Sequence, residues 1–147
     1  MGGPRAFGLT VNVPLPAGAT GDVVRMALEE VAAPVVESFG PTWVLISAGF
    51  DAHRADPLAE LALSSGDFAD LATLVSAWAP QDGRVVMLLE GGYDLDALRT
   101  SVGSSLAALA GAVPRGAGVV PQPPTSDGPG AESVRNALEA RRRVLQV

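Results

Sequence analysis

The 147-residue chain has no cysteine, no lysine, one histidine (His53) and one tyrosine (Tyr93). Without cysteine it can form no disulfide, thiolate metal site or cysteine nucleophile, and the expectation is a reducing, cytoplasmic compartment. Long apolar runs are also missing. Those over 43–48 and 85–89 are strand-sized, far short of the roughly 18 residues that span a bilayer as a helix, so no membrane partner is expected. The N-terminus is a poor match to a signal peptide, with one arginine and a proline-interrupted apolar stretch, and Ala6 breaks the myristoylation pattern. Positive charge is scarce: ten arginines face sixteen acidic residues, for a net charge of −6. That balance offers no basic footprint for a phosphate backbone, which argues against nucleic acid as a direct ligand.

Apolar residues make up 48% of the chain, enough for the core of one domain. Three β-prone runs, 10–15, 43–47 and 85–89, alternate with segments of helical period, the pattern of an α/β fold. The last two lack a polar alternate position, which predicts central parallel strands covered on both faces. Asp22 is the candidate N-cap of a first helix with Val24, Leu28, Val31 and Val35 on one face, kinked or ended early by Pro34. A second helix is predicted from Ser64 or Ser65, burying Phe68, Leu71, Leu74, Val75 and Trp78 before Pro80. A third, capped by Asp94, buries Leu95, Leu98, Val102, Leu106 and Leu109 and stops before Pro114. The boundaries are therefore an α/β portion over 1–112, a Pro/Gly-rich linker or flexible arm over 113–130, and a short C-terminal helix over 131–147. Val134, Leu138 and Leu145 share one side of that last helix, and its sequence is compatible with docking or with fraying.

Two loops at predicted strand ends gather the candidate chemistry, where open α/β sheets place their ligands. After the run 43–47 come Asp51, His53 and Asp56, and Pro57 biases Asp56 to an extended backbone that fixes the direction of its carboxylate. After 85–89 come Glu90, Gly91, Gly92 and Tyr93, where two glycines permit close backbone approach. From the residues alone, both a ligand-binding corner and an ordinary polar turn remain open. Phosphate binding at "EGGYD" is disfavoured, because Glu90 and Asp94 repel an anion and no P-loop lysine exists.

The segments "LTVNVPLPAG", "VLISAGFDAHRADPLAELALS" and "LLEGGYDLDAL", in this order, resemble the C-terminal part of the histone deacetylase superfamily. The likeness covers about residues 7–112 and is greatest to the class II-like branch of bacterial deacetylases, acetylpolyamine amidohydrolases and acetoin-utilisation proteins. The resemblance implies an arginase-deacetylase α/β fold, a three-layer parallel sheet of which this chain holds an incomplete, C-terminal portion. It also implies zinc-dependent hydrolysis of an acetylated lysine or polyamine. By the same resemblance Asp56 is a zinc ligand and Tyr93 the donor that stabilises the oxyanion. Gly91 and Gly92 line the substrate channel, while Asp51 and His53 orient the loop.

The family's Asp-x-His motif, source of the other zinc ligands, and its tandem histidines have no counterpart in this sequence. The expectation is a later half whose active site is incomplete by itself and whose partner is an upstream half or another copy. The alternative is a non-catalytic binding or assembly module on the same scaffold. If the family strand order applies, run 10–15 lies at a sheet edge, separated from the other two, and is expected to be displaced, mobile or completed by another chain.

Overall fold

A computed structural model describes residues 6–112 and 121–145. In chain order the elements are α1 (Gly21–Met26), a π-helical stretch Ala27–Ala32, α2 (Ala33–Phe39), β1 (Val44–Gly49), a 3-10 turn Phe50–Ala52, α3 (Ser65–Ser76), β2 (Val85–Gly91), α4 (Leu95–Leu109) and α5 (Ala131–Leu145).

The first helix starts at Thr20 as its N-cap, placing Asp22 in the first turn and not at the cap. Pro34 does not end it. The chain stays helical to Phe39 because the proline sits at the start of α2, directly after the π-helical stretch, whose wider turn removes the need for its missing N–H. Gly40, at φ 63°, closes α2, and its N–H returns to Val36 O at 2.9 Å.

β1 and β2 pair in parallel from Val44 opposite Val85 to Ala48 opposite Leu89, with an irregularity before Gly49 meets Gly91. Ile46 and Met87 face an apolar interior shared with Leu28, Phe68, Leu71, Ala72 and Val75. The other face does not match the expectation of strands covered on both sides. Leu45 is 69% exposed and Leu88 46% exposed, because no further strand or helix among the described residues lies over them.

Run 10–15 forms no strand. A strand needs a neighbour to satisfy its N–H and C=O groups, and among the described residues none lies beside it. Instead Val11, Val13 and Leu15 pack beside the buried cluster of Val23, Ala27, Val31 and Val134. Val134 belongs to α5 and is fully buried, so α5 docks on the first helix.

α3 begins where the sequence indicates. Ser64 accepts from Asp67 N–H, and the Asp67 carboxylate accepts from Ser64 N–H at 2.7 Å, a reciprocal capping box. In α4, Asp94 caps as expected, accepting from Ala97 N–H at 2.7 Å. Its buried face differs from the leucine stripe that periodicity suggests: Ala97, Ser101, Ser104 and Ser105 are buried, while Leu95 and Leu106 are exposed. Small side chains let α4 approach α3 closely.

Residues 113–120 of the Pro/Gly-rich segment lie outside the described residues. Residues 121–130 are held by specific hydrogen bonds. Thr125 donates its N–H to Asp67 Oδ1 at 2.9 Å and its hydroxyl to Asp67 Oδ2 at 2.7 Å. Gly128 N–H reaches Thr20 Oγ1 at 2.8 Å, and Asp127 N–H reaches Asp22 Oδ2 at 3.1 Å. This strap joins the N-terminal ends of α1 and α3.

Candidate active-site corner

β1 and β2 are parallel, so the loops that follow them emerge at the same end of the sheet. The first enters through Phe50, which is buried and packs against Phe68 with ring centroids 5.0 Å apart. His53 N–H then bonds Phe50 O at 3.1 Å, and Arg54 N–H bonds Leu63 O at 2.9 Å, which turns the chain back under itself.

Asp56 and Tyr93, 37 residues apart in sequence, meet here. Asp56 Oδ2 accepts the N–H of Tyr93 at 2.7 Å and more weakly that of Asp94 at 3.4 Å, while Oδ1 accepts Leu58 N–H at 2.9 Å. Partial desolvation raises the Asp56 pKa, but the backbone donors of Tyr93, Leu58, Asp94 and Ala59 outweigh it and hold the carboxyl below its ordinary value. The group is therefore a fixed anion. Tyr93 is 56% exposed, so its side chain stands out from the sheet end while its own N–H is tied to Asp56.

The two glycines are required by packing. A Cβ on Gly91 would lie 2.7 Å from Asp51 Oδ1, and one on Gly92 would lie 2.9 Å from Leu98 Cδ1 and 3.1 Å from Phe50 Cβ. Gly92 also has φ +132°, a conformation that L side chains rarely adopt. Asp51 thus sits beneath the ends of both strands, since a Cβ on Gly49 would also come within 2.7 Å of its Oδ1.

His53 is 2% exposed and uses both ring nitrogens. Nδ1 accepts Ala55 N–H at 3.1 Å, and Nε2 lies 3.0 Å from Gln122 Oε1. Gln122 was hidden from sequence reasoning, because a glutamine in a Pro/Gly-rich stretch 69 residues away carries no local signal.

Residues 2–109 match the family described as "Histone deacetylase domain". The chain belongs to the histone deacetylase family. Over 113 residues it is 43% identical to "Histone deacetylase 10, chloroplastic" of Oryza sativa, covering 76% of this chain and 26% of that protein. Over 110 residues it is 40% identical to a "Probable deacetylase" of Archaeoglobus fulgidus, covering 73% of this chain and 31% of that protein. The deacetylase domain of HDA15, known from its crystal structure, superposes with a TM-score of 0.78 at 26% identity, over 97% of this chain and 37% of that one. The structure of the histone deacetylase Clr3 gives a TM-score of 0.75 at 28% identity, over 97% of this chain and 23% of that one. The fold is therefore part of the arginase-deacetylase α/β architecture, and the chain spans between a quarter and a third of the curated deacetylases just named.

The donor set can be tested against the zinc that the family resemblance implies. A catalytic zinc takes three protein ligands. Among the described residues no group of three or more histidine, aspartate or glutamate side chains converges. Asp56 is a single carboxylate, the ring nitrogens of His53 are both engaged, and Asp51 is tucked under Gly49 and Gly91. These residues do not form a zinc centre by themselves. No helix among them is long and apolar enough to cross a membrane.

Proposed function

We propose that this chain contributes Asp56 and Tyr93 to the active site of a zinc-dependent deacetylase that hydrolyses an acetylated amine, either a protein lysine or a polyamine. In this reading the remaining zinc ligands and the base that activates water come from the upstream part of the deacetylase domain, since a second copy would bring only another buried, fully engaged His53. The observation that carries the reading is the 2.7 Å bond from Tyr93 N–H to Asp56 Oδ2, which fixes the two motif loops to each other. The Tyr93 phenol is the donor for the oxyanion that forms when water adds to the acetyl carbonyl, before the C–N bond breaks to give acetate and free amine. The backbone of Gly91 and Gly92, packed closely on Asp51, Leu98 and Phe50, borders the substrate channel beside it, and Asp51 and His53 hold the loops. The absence of cysteine supports a cytoplasmic setting, and the acidic balance supports a substrate other than nucleic acid.

The test is complementation. The 147-residue chain alone should leave an acetyl-lysine peptide and an acetylpolyamine intact. Adding an upstream deacetylase segment that bears Asp-x-His and paired histidines should produce turnover. Asp56→Ala should abolish that turnover, and Tyr93→Phe should lower it by about 10²–10³-fold, the usual loss for one oxyanion donor. Turnover indifferent to both substitutions would sink the assignment. The second reading is a binding or assembly module on the deacetylase scaffold. That reading gains if the upstream segment binds but no turnover appears, with Asp56→Ala and Tyr93→Phe leaving the binding equal.

A further inference from the structure

The strap over 121–130 lies beyond residues 2–109, the part of the chain that matches the deacetylase domain, yet one of its side chains enters the Asp56 loop. We propose that Gln122 is a positioning residue for the Asp56–Tyr93 corner, acting through the buried ring of His53. The use made of that corner rests on the reading given under Proposed function; the hydrogen-bond relay does not.

A ring as buried as His53 must have both nitrogens satisfied. Nδ1 accepts the N–H of Ala55 at 3.1 Å, so the ring proton sits on Nε2, where it is donated to Gln122 Oε1 at 3.0 Å. Next along the loop, Asp56 N–H bonds His53 O at 2.8 Å. The ring and the carbonyl of one residue thus hold positions 55 and 56, and the Asp56 carboxylate in turn holds Tyr93 N–H at 2.7 Å. Remove the Gln122 amide and a buried Nε2–H loses its acceptor. The ring must then turn toward water or move its proton to Nδ1, and either change releases Ala55 N–H.

Gln122 is itself well anchored. Its N–H bonds Ser65 Oγ at 2.8 Å, and Ser64 Oγ donates to Pro123 O at 2.7 Å. The strap fits only because position 66 is glycine. A Cβ there would lie 2.2 Å from Gln122 O and 3.1 Å from Pro124 N, both backbone atoms that cannot swing aside. Gly66→Ala should therefore lift the strap without altering His53 or Gln122.

The experiment is amide hydrogen exchange, together with ring-nitrogen NMR of His53, on the full 147-residue chain as wild type, Gln122→Leu, Gln122→Glu and Gly66→Ala. The wild type should show the Nε2–H tautomer. Gln122→Leu should speed exchange at Ala55 and Tyr93 about tenfold, the equivalent of one lost hydrogen bond, while Val31 in the core stays unchanged. Gly66→Ala should reproduce that pattern. Gln122→Glu keeps an acceptor and should return both amides to near wild-type rates. Unchanged exchange at Ala55 and Tyr93 in Gln122→Leu overturns the proposal. Equal acceleration at Val31 also overturns it, by showing a general loss of stability. If the exchange pattern holds while complementation gives no turnover, the relay stands and the deacetylase reading falls.

Discussion

Asp22 shows how one side chain ties distant parts of the chain together. Exposed in the first turn of α1, it accepts from the Thr20 hydroxyl, from Val23 N–H at 2.9 Å and from Asp127 N–H at 3.1 Å. Desolvation raises its pKa, but these three donors outweigh that effect and hold the carboxyl below its ordinary value. A carboxyl whose pKa is lower folded than unfolded binds fewer protons in the native state. Its stabilising contribution is complete above the unfolded pKa of about 3.9 and is lost as pH falls through the folded value. Denaturant unfolding between about pH 2 and pH 6 should show wild-type stability declining below about pH 4. Asp22→Asn should be less stable at neutral pH and flatter through the acid range. Parallel pH curves for the two proteins would show that Asp22 contributes nothing through its charge.

The serines of α4 carry a cost that follows from the way α3 and α4 meet. Ser101 and Ser104 Oγ are buried and find no hydrogen-bond partner among the described residues. A buried hydroxyl without a partner costs on the order of 1–3 kcal/mol, whereas alanine keeps the small volume and the better helix propensity. Ser104→Ala should therefore raise the unfolding free energy by about 1 kcal/mol, read as a shift of the denaturation midpoint at constant slope; a loss of stability would mean that the hydroxyl has a partner. The same helix marks where the sequence misleads. Leu95 to Leu109 has convincing periodicity, but periodicity reports which faces are apolar and not which one meets a neighbour. Here the neighbour took the small residues. Signals internal to one element were legible: the helix start at Ser64, the Asp94 cap, and the β runs that became Val44–Gly49 and Val85–Gly91. At the candidate site, Asp56, Gly91, Gly92 and Tyr93 are singled out by the resemblance to the deacetylase family and not by spacing, which leaves an ordinary polar turn open; that the two loops meet is seen in the Tyr93 N–H bond to Asp56. The role of Gln122 was not legible, because it depends on a fold-back that no local pattern encodes.

Taken whole, the molecule has one well-made side and one unfinished side. The first helix, α5 and the segment carrying Val11, Val13 and Leu15 close around Val134. The outer face of the two-stranded sheet instead presents Leu45, Val86 and Leu88 to solvent, with Ser47 and Glu90 hydrogen-bonded beside them at 2.8 Å. Side chains that make few contacts contribute little to folding, so replacing them should be nearly neutral, whereas an apolar patch of this kind should bind a hydrophobic dye. The double variant Leu45→Lys, Leu88→Lys should keep its unfolding free energy within about 0.5 kcal/mol per site and lose most of the wild-type dye fluorescence. A large drop in stability would mean that this face is covered in the isolated chain. Neutral stability with lost dye binding would identify the face as free, an apolar sheet surface open to a covering element.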